Sequence, residues 1–464
     1  MRQRIAIVGM GISGLVAAHR LHEAHDITVY EANDYIGGHT HTIEVERDGR
    51  VWPVDTGFIV FNERNYVNFI ALLDELGVSS HPTTMSFSVR CDTANLEYNG
   101  TSLEKLFVQR RNMLRPSFHR MVRDIVRFYR ESRELLEGHD DTTTLGEYLN
   151  LNGYSREFTD HHIIPMGSAI WSADPVDMLT FPATTFVRFF DHHGFLDLKD
   201  RPQWRVVDGG SHAYVKRLTI PFRHRIRLNT PVRSIARTGD EIWIAASDDT
   251  VEKYDAVFIA CHSDQALRML EAPTPSEQDI LGAIPYAENP VVLHTDTSLL
   301  PKRKRAWASW NYLLPGDGRS GATVTYNQNI LQGLDAPETF CVSLNQTDRI
   351  DPARVIQSFT YHHPQYTVGT VAAQRRKDEI SGQENTYYCG AYWGFGFHED
   401  GVNSAIDAVN AFEENLACRA AYTKAGRATD AFPRPKTPSR IAFSWCISTS
   451  RRWRMPSAVT RSGP

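Results

Sequence analysis

The feature that most constrains the fold is a glycine-rich turn between a strand and a helix near the N-terminus. The run RIAIVG, residues 4–9, is short, apolar and rich in β-branched residues, which is typical of a buried parallel strand. Gly9, Gly11 and Gly14 stand in G-x-G-x-x-G spacing, and LVAAHRLHEA then follows a helical periodicity. The next apolar run, DITVYEA, predicts a second strand that reaches Glu31. This order of strand, glycine turn, helix, strand and acid is the fingerprint of a dinucleotide-binding fold.

Each part of the fingerprint has a physical reason. Gly9 allows a tight turn, Gly11 lets a pyrophosphate approach the backbone, and Gly14 lets the helix pack closely on the strand. The helix N-terminus offers free N–H groups and a partial positive charge to phosphates. Glu31 is placed to accept hydrogen bonds from a ribose diol. A glycine-rich turn without a ligand is the alternative, and the complete context disfavours it.

Length and composition limit the class of protein to which this chain can belong. The 464 residues exceed one ordinary core and favour two domains, or one domain with a large insertion. The net charge of −5 offers no general basic surface, so we expect no nucleic-acid partner. The six cysteines lie too far apart for a zinc knuckle or a redox pair, which favours a reducing compartment.

The N-terminal stretch MRQRIAIVGMGISGLVAAHR has the basic start and apolar centre of a signal peptide, but its three glycines disfavour a helical signal core. No later run approaches the ~18 apolar residues of a membrane-spanning helix. We therefore expect a cytoplasmic protein, with peripheral contact to the inner face of the membrane left open.

A glycine pair follows the acid Glu31 and narrows the choice of cofactor. Gly37-Gly38 leads into HTHT, the strand TIEVERDG and the run VWPVDTGFIVFN. This pattern resembles the flavin-containing amine oxidoreductase superfamily, which includes monoamine oxidases, protoporphyrinogen oxidases and phytoene desaturases. Its members lay a glycine pair, usually within G-G-R-x-x-T/S, against the pyrophosphate and ribityl chain of FAD. The resemblance implies FAD as cofactor and assigns Gly37, Gly38 and Thr40 to it, with His39 standing where an arginine is usual.

The same stretch also allows a metal hypothesis. His39 and His41 lie two residues apart, so on a strand their side chains would point to the same side and could share one ion. Catalytic zinc, however, needs three protein ligands and structural zinc needs four. The histidine dyads elsewhere point neighbouring side chains apart, and none has H-E-x-x-H spacing. We predict no metal site, with these histidines as bystanders or flavin neighbours.

The resemblance returns near the C-terminus, in TYYCGAYWGFGFHEDGVNSAIDAVNAF, residues 386–412. The pattern predicts a strand, an aromatic turn and an amphipathic helix from about Val402. In the superfamily such a helix points its N–H groups at the flavin pyrimidine ring, where a positive helix end stabilises negative charge. Ala391 departs from the family, which has an acid there, and Glu399, Asp400 or water could replace that contact. A helix cap beside an aromatic core patch is the alternative.

The resemblance also places Val232, in TPVRSI, against the adenine through its backbone. It implies an α/β fold with a Rossmann-type FAD-binding domain and an inserted α+β substrate domain. The predicted FAD-binding domain comprises 1–62, 205–265 and 365–418, and the substrate domain comprises 63–204 and 266–364. The predicted cofactor residues are Gly9, Gly11, Ile12, Ser13, Gly14, Glu31, Gly37, Gly38, His39, Thr40, Val232, Gly390, Gly401 and Val402.

A closer resemblance covers residues 4 to about 418. The blocks DTGFIVFN, PMGSAIWS, FPATTFVRFF, GGSHAYV, ASWNYL, VTYNQN and GFHEDG look like predicted FAD-dependent oxidoreductases encoded beside, or fused to, cyclopropane-fatty-acid synthases. The presence of these synthases beside the family members implies a fatty-acyl or lipid substrate and a lipid methyltransferase as partner. Residues 427–464 are rich in arginine, proline and serine without periodicity, which predicts a disordered tail or the product of a shifted reading frame.

The predicted substrate domain contains two further features. A helix is predicted over 116–136, with arginines at 120, 123, 127 and 130 forming a basic stripe that either docks on anionic lipid or, as we favour, pairs with local acids. Aromatic residues could wall an apolar cavity beside the flavin, or could simply form an aromatic core. The residues predicted for this pocket are Trp171, Trp310, Tyr326, Tyr392 and Trp393.

Together these features predict an FAD-dependent oxidoreductase that removes hydride from an apolar substrate. No catalytic triad or acid pair stands out, and none is required when the flavin carries the chemistry. The alternatives are a redox-neutral flavin-dependent isomerase of a lipid and a non-catalytic flavin-binding partner of a lipid methyltransferase.

Overall fold

The computed structural model describes residues 2–138, 141–316 and 321–429, without the side chains of 422–429. Of the described residues, those up to 413 form one compact unit, and those from 414 onward belong to a second unit. The predicted tail, 427–464, falls outside the described residues except for 427–429, which end a helix. In the part of the chain that the structure describes, each helix is too short or too polar to span a membrane.

The strands are numbered in chain order. They are β1 (Arg4–Val8), β2 (Asp26–Tyr30), β3 (Thr42–Arg47), β4 (Arg50–Asp55), β5 (Val60–Asn62), β6 (Ser80–Thr83), β7 (Phe87–Cys91), β8 (Leu96–Asn99), β9 (Trp204–Val207), β10 (Ile226–Arg227), β11 (Val232–Thr238), β12 (Glu241–Ala246), β13 (Val251–Tyr254), β14 (Ala256–Ile259), β15 (Tyr286–His294), β16 (Trp310–Leu314), β17 (Val324–Asn327), β18 (Cys341–Leu344), β19 (Val355–Pro364) and β20 (Thr386–Tyr388).

The α-helices are numbered in the same way. They are α1 (Ile12–Leu21), α2 (Val67–Leu76), α3 (Leu103–Leu106), α4 (Pro116–Glu131), α5 (Glu134–Glu137), α6 (Leu145–Leu151), α7 (Arg156–Phe158), α8 (Ile164–Trp171), α9 (Pro175–Thr180), α10 (Ala183–His192), α11 (His212–Leu218), α12 (Ser263–Met269), α13 (Pro275–Gly282), α14 (Gln328–Leu331), α15 (Val368–Gln374) and α16 (His398–Thr429).

A parallel five-stranded sheet, in the order β10-β2-β1-β14-β20, contains the glycine fingerprint. Apart from Arg4, which is exposed at the start of β1, strands β1 and β14 are apolar and buried, as is typical of parallel strands covered on both faces. The carboxyl ends of parallel strands meet at one edge, so Gly9, Glu31 and Ala260 lie side by side where β1, β2 and β14 end. Ligands of open α/β sheets bind at this edge.

A second, mixed sheet has seven strands in the order β19-β15-β18-β17-β16-β7-β8. All its neighbours are antiparallel except β16 and β7. Helices α4 to α10 pack around a separate apolar core that includes Phe128, Phe158 and Phe186. The two sheets and this helical layer confirm the predicted Rossmann-type α/β fold with an inserted α+β part, whereas the domain boundaries stay a prediction.

Helix α4 is shorter than predicted, because the chain leaves the helix at Ser132 and resumes it in α5. Its arginines are paired: Arg120 with Glu157, Arg127 with Asp124 and Glu131, and the others with Asp124 or Glu131. The basic stripe is therefore the solvated, acid-paired face that we favoured.

Candidate cofactor and substrate site

Two of the three fingerprint glycines, Gly9 and Gly14, occupy positions that exclude larger residues, and the third, Gly11, faces open space. Gly9 has φ +99°, and a Cβ there would lie 2.9 Å from the carbonyl oxygen of Ala260. A Cβ on Gly14 would lie 1.9 Å from the carbonyl oxygen of Gly9, so this glycine is what brings α1 against β1. A Cβ on Gly11 would meet nothing within 4 Å. Open space therefore lies above Gly11, where a phosphate is expected to approach.

Glu31 lies at the end of β2 and is almost fully buried. Its carboxylate accepts hydrogen bonds from the backbone N–H groups of Met10, at 2.8 Å, and Asn33, at 2.9 Å. Burial raises the pKa of Glu31, and these N–H groups oppose that rise because they stabilise the charged form. The backbone oxygen of Glu31 accepts from the Thr230 N–H at 2.9 Å, which brings the start of β11 and Val232 to the same place.

The glycine-pair turn packs directly on the fingerprint turn. Gly37 and Gly38 have φ values of +130° and +58°, which favour glycine. A Cβ on Gly38 would lie 3.1 Å from the Cα of Gly11. The next residue, His39, stacks obliquely on Tyr361 of β19, with ring centroids 4.9 Å apart. His41 stacks on Tyr35, and its Nδ1 lies 3.0 Å from the hydroxyl of the same Tyr361, so both histidines contact this tyrosine.

The C-terminal turn meets the N-terminal one across 388 residues of chain. The Ser13 hydroxyl donates to the carbonyl oxygen of Gly401 at 2.9 Å. A Cβ on Gly401 would lie 2.6 Å from Cγ2 of Ile12. Two glycine-bearing turns that are far apart in the sequence therefore meet in the fold.

Helix α16 begins at His398, four residues before the predicted start near Val402, and that prediction was wrong. The reason is the aspartate at the third helical position. One Asp400 carboxylate oxygen accepts from the backbone N–H groups of Phe395, at 3.0 Å, and Phe397, at 2.9 Å, and this folds the preceding loop onto the helix. Gly401 N–H already donates to the Phe397 carbonyl at 3.1 Å, so the free helix end belongs to residues 398–400.

The acids near Ala391 have structural partners. Glu399 accepts from the backbone N–H groups of Asn68 and Phe69, both at 2.8 Å, and so caps α2. Asp400 is engaged by the loop before α16, and burial raises its pKa to about 7. Neither residue lines the cavity described below, so neither replaces the acid that Ala391 lacks.

A buried triangle of polar groups was not predicted from the sequence. The Tyr214 hydroxyl lies 2.7 Å from Oγ1 of Thr40 and 2.8 Å from Nε2 of His398, and the latter two atoms are 3.1 Å apart. Phe58 stacks on the His398 ring at 3.5 Å. Burial lowers the pKa of His398 to about 3, so the ring is neutral at physiological pH. The triangle joins the glycine-pair turn, α11 and α16.

These elements enclose a cavity of about 870 Å³, at the upper end of the ~300–1,000 Å³ usual for ligand sites. Most predicted cofactor residues line it, whereas Gly14, Thr40, Gly401 and Val402 do not and support it from behind. Val402 is buried and faces a separate shallow cleft beside α1 and α2. The predicted cofactor residues that line the cavity are Gly9, Gly11, Ile12, Ser13, Glu31, Gly37, Gly38, His39, Val232 and Gly390.

The cavity has the chemistry that a flavin dinucleotide requires. It runs from the open space at Gly11 and the acid Glu31 to an aromatic region. Several of its residues carry buried polar atoms without a partner, which a bound ligand could satisfy. These atoms are Nε2 of His39, Nε1 of Trp310, and the hydroxyls of Tyr366 and Tyr392. The residues present fit FAD.

The aromatic region contains four of the five predicted pocket residues. Trp310 and Tyr326 are cross-strand neighbours on β16 and β17, with ring centroids 5.0 Å apart. Trp171 of α8 donates from Nε1 to the carbonyl oxygen of Phe395 at 3.2 Å. Tyr392 also lines the cavity, whereas Trp393 does not and packs against the apolar core behind β14 and β20. The two adjacent aromatic side chains face different ways.

Within residues 2–138, 141–316 and 321–429, no group of three or more histidine, cysteine, aspartate or glutamate side chains is placed to hold a metal ion. The absence of a metal site stays a prediction.

The family model described as flavin containing amine oxidoreductase matches residues 12–321. A Mycobacterium tuberculosis protein whose name assigns it to the flavin-containing monoamine oxidases, AofH, is 27% identical over 287 residues, which cover 59% of this chain and 60% of that protein. An L-amino-acid oxidase from Siganus canaliculatus is 25% identical over 318 residues, 63% of this chain and 57% of its own. The chain thus spans about three-fifths of the length of the curated relatives it matches.

Solved structures agree on the fold. Cyclohexylamine oxidase from Brevibacterium oxydans IH-35A superposes with a TM-score of 0.66 at 17% identity, over 90% of this chain and all of that one. A CLA-producing fatty acid isomerase from P. acnes superposes with a TM-score of 0.62 at 18% identity, over 88% of this chain and 98% of that one. The FAD-binding fold predicted from the glycine motifs is confirmed, and FAD is the cofactor that the family implies.

Proposed function

Because the chain belongs to the flavin-containing amine oxidoreductase family, we propose that it is an FAD-dependent oxidoreductase that removes hydride from an apolar substrate, a fatty-acyl or lipid chain. The observation that carries the substrate class is the distribution of charge around the cavity. Among the described lining residues, the formally charged side chains are Glu31, Arg233 and Arg268. The proposal follows from where these three lie.

All three charged residues belong to one end of the cavity. Thr230 is bonded to the backbone of Glu31, so Arg233 on β11 lies close by. Helix α12, which contains Arg268, packs on β11. The other end is walled by apolar and aromatic side chains, including Ile59, Ile170 and Leu331. A protonated amine would find no carboxylate there, and burying an unpaired charge is costly.

The protein's share of such a reaction is to orient the chain and exclude water. Trp171, Trp310 and Tyr326 present flat apolar faces against which an acyl chain can lie. Bound FAD would accept hydride at its isoalloxazine ring. A CLA-producing fatty acid isomerase has this fold, which supports a fatty-acyl substrate.

Anaerobic bleaching tests the proposal. The FAD-loaded protein is mixed without oxygen with a long-chain fatty acid, an acyl phospholipid, a primary amine or an L-amino acid, and the yellow flavin absorbance is followed. We expect an acyl compound to bleach the flavin and to yield a product two hydrogens lighter. A product of unchanged mass would indicate isomerisation instead. Bleaching by the amine or the amino acid alone would refute the apolar-substrate proposal.

A charge placed in the apolar end gives a matched test. Ile170 is partly buried and lines the cavity, so I170D should lower kcat/KM for the acyl substrate roughly tenfold or more, because the carboxylate must be desolvated beside the chain. The same substitution at Ile220, which is 72% exposed and outside the cavity, is the control and should leave kcat/KM unchanged. Equal kcat/KM for I170D and wild type would place the substrate elsewhere.

A further inference from the structure

One wall of the cavity carries four imidazoles that the proposed reaction does not use. His39 comes from the glycine-pair turn, His262 from the residue before α12, and His362 and His363 from β19. Ring centroids of His39 and His363 are 5.3 Å apart, and those of His262 and His362 are 6.1 Å apart. We call these four residues the histidine wall. Three separate segments of chain are needed to build it.

His39 is held rigidly at the centre of this wall. Its carbonyl oxygen accepts from the Phe58 N–H at 2.7 Å, and the preceding Gly38 packs on Gly11. The ring is held between Tyr361 and His363. Its Nε2 is buried without any hydrogen-bond partner, a costly state unless a ligand completes it. An unpartnered imidazole nitrogen thus belongs to a residue that lines the same cavity as Gly11.

No free cation faces the histidine wall from the described lining of the cavity. Arg233 pairs with Asp249 at 2.7 Å, and Arg268 pairs with Asp264 at 2.7 Å. On the wall itself, His363 Nδ1 lies 3.1 Å from the side-chain amide of Asn289. The charge of Arg268 still reaches one end of the wall, where it lowers the pKa of His262. At His39, the groups that shift the pKa besides burial are other imidazoles.

The surroundings favour the neutral form of three of the four imidazoles, those of His39, His262 and His363. Burial lowers the pKa of His39 well below its usual value, and His363, His262, His398 and His362 lower it further, in that order. Burial also lowers the pKa values of His262 and His363 to about 4, although Asp264 opposes the shift at His262. An anion placed among these rings would reverse the balance, because opposite charge favours the protonated form.

The other groups that face the wall do not supply the missing charge. Tyr286 of β15 stacks on His262 at 4.4 Å, and burial keeps its phenol protonated by raising its pKa. Glu288 lies 3.9 Å from Nε2 of His362, on the more exposed side of the wall. Neither Tyr286 nor Glu288 therefore adds a positive charge to the wall.

We propose that the histidine wall, centred on His39, is a proton-linked anion site, which binds an anionic oxygen group of the ligand and takes up a proton as it does so. The group is a phosphate of FAD or the carboxylate of a fatty-acid substrate, and the contact of Gly38 with Gly11 favours the phosphate. This inference rests on the proposed function only for the identity of the two ligands. A phosphate diester stays ionised across the neutral pH range, so the proton must be bound by the protein.

FAD binding to the apo-protein, followed by quenching of flavin fluorescence, tests the linkage. Uptake of one proton makes Kd rise by up to about tenfold per pH unit as pH increases. Mixing apo-protein with FAD in weakly buffered solution containing a pH indicator should also show the proton taken up. Riboflavin, which lacks phosphate, should bind with a Kd independent of pH. The control H224Q, at an exposed histidine outside the cavity, should behave as wild type.

Two substitutions at one position separate charge from packing. H39Q keeps a polar side chain without a titratable group, so FAD should bind more weakly and with little pH dependence. H39R supplies a permanent charge, so FAD binding should be as tight above neutral pH as below it. H363Q, which removes the neighbour of His39, should weaken the pH dependence even if H39Q is poorly folded, and circular dichroism monitors folding in each case.

Two results distinguish the ligand sources. Kd for FAD that rises with pH assigns the site to phosphate. The site is assigned to carboxylate if Kd for FAD does not change with pH, fatty-acid binding to the FAD-loaded protein weakens as pH rises, and H39Q removes that pH dependence. Flat affinity for both ligands overturns the inference. A protein that shows the linkage but is not bleached by any acyl compound keeps this site and refutes the proposed function.

Discussion

Gly401 is where the two distant ends of the chain touch, and G401A tests that contact directly. The residue lies in the first turn of α16, and its carbonyl oxygen accepts from the Ser13 hydroxyl at 2.9 Å. An alanine Cβ would lie 2.6 Å from Cγ2 of Ile12 and 3.0 Å from Oγ of Ser13. Ordinary carbon contacts are about 3.5–4.0 Å, so α16 or α1 must shift by roughly 1 Å.

Two opposing effects set the size of the change. Replacing glycine by alanine inside a helix stabilises it by about 0.5–1 kcal/mol, because less backbone entropy is lost on folding. Forcing a methyl group into a packed contact costs about 1–3 kcal/mol. The clash should therefore win, and the free energy of unfolding of G401A should fall by up to about 2 kcal/mol. FAD retention should fall as well, since the shift separates the two helix ends beside the cavity.

G369A is the matched control. Gly369 also lies in the first turn of a helix, α15, but an added Cβ would meet its nearest neighbour, Oγ1 of Thr367, at an ordinary 3.5 Å. We expect G369A to be as stable as wild type or more stable in urea unfolding, and to release FAD at the wild-type rate on dilution. If G401A matches G369A in both measurements, α16 does not pack on α1 as described, and the two glycine-bearing turns do not meet.

Three further predictions concern buried polar groups. Burial raises the pKa of Asp400 to about 7, above its value in the unfolded chain. Its contribution to stability is therefore greatest below the unfolded pKa and is lost as pH rises through 7. D400N keeps the acceptor oxygen but cannot titrate, so it should flatten that part of the pH–stability curve measured by urea unfolding. Arg237 and Glu277 form a buried ion pair between β11 and α13. R237M should lower the free energy of unfolding by about 3–5 kcal/mol, because Glu277 is left buried and charged. A loss below about 1 kcal/mol would contradict this prediction. T40V removes a hydroxyl from the triangle with Tyr214 and His398 and should cost about 1–3 kcal/mol in the same assay, whereas T40S, which keeps the hydroxyl, should recover most of it.

The sequence was most informative where structure depends on local sterics. Gly9, Gly14, Gly37 and Gly38 occupy positions where a Cβ would collide or where φ is positive, so their spacing alone predicts the turns. The apolar strands β1 and β2 and the acid Glu31 follow from hydrophobic pattern and distance along the chain. The fold class and the cofactor followed from these features together with the family resemblance that they carry.

Side-chain direction and helix ends depended on groups far away in sequence. The start of α16 at His398 results from backbone N–H groups captured by Asp400, which the amphipathic pattern from Val402 onward could not indicate. Tyr392 enters the cavity while Trp393 joins the core behind the sheet, and adjacent aromatic residues give no sign of which will do so.

Amino-acid order alone therefore determined that this chain builds a dinucleotide-binding edge with a second glycine turn beside it. Only the tertiary structure decided what faces the ligand: Thr40 meets a tyrosine 174 residues away and a histidine 358 residues away, and the four histidines of the wall come from three segments. The physical reason is that a turn is specified by the sterics of a few neighbouring residues, whereas the partner of a buried polar group is whatever the packed sheets and helices bring within hydrogen-bonding distance.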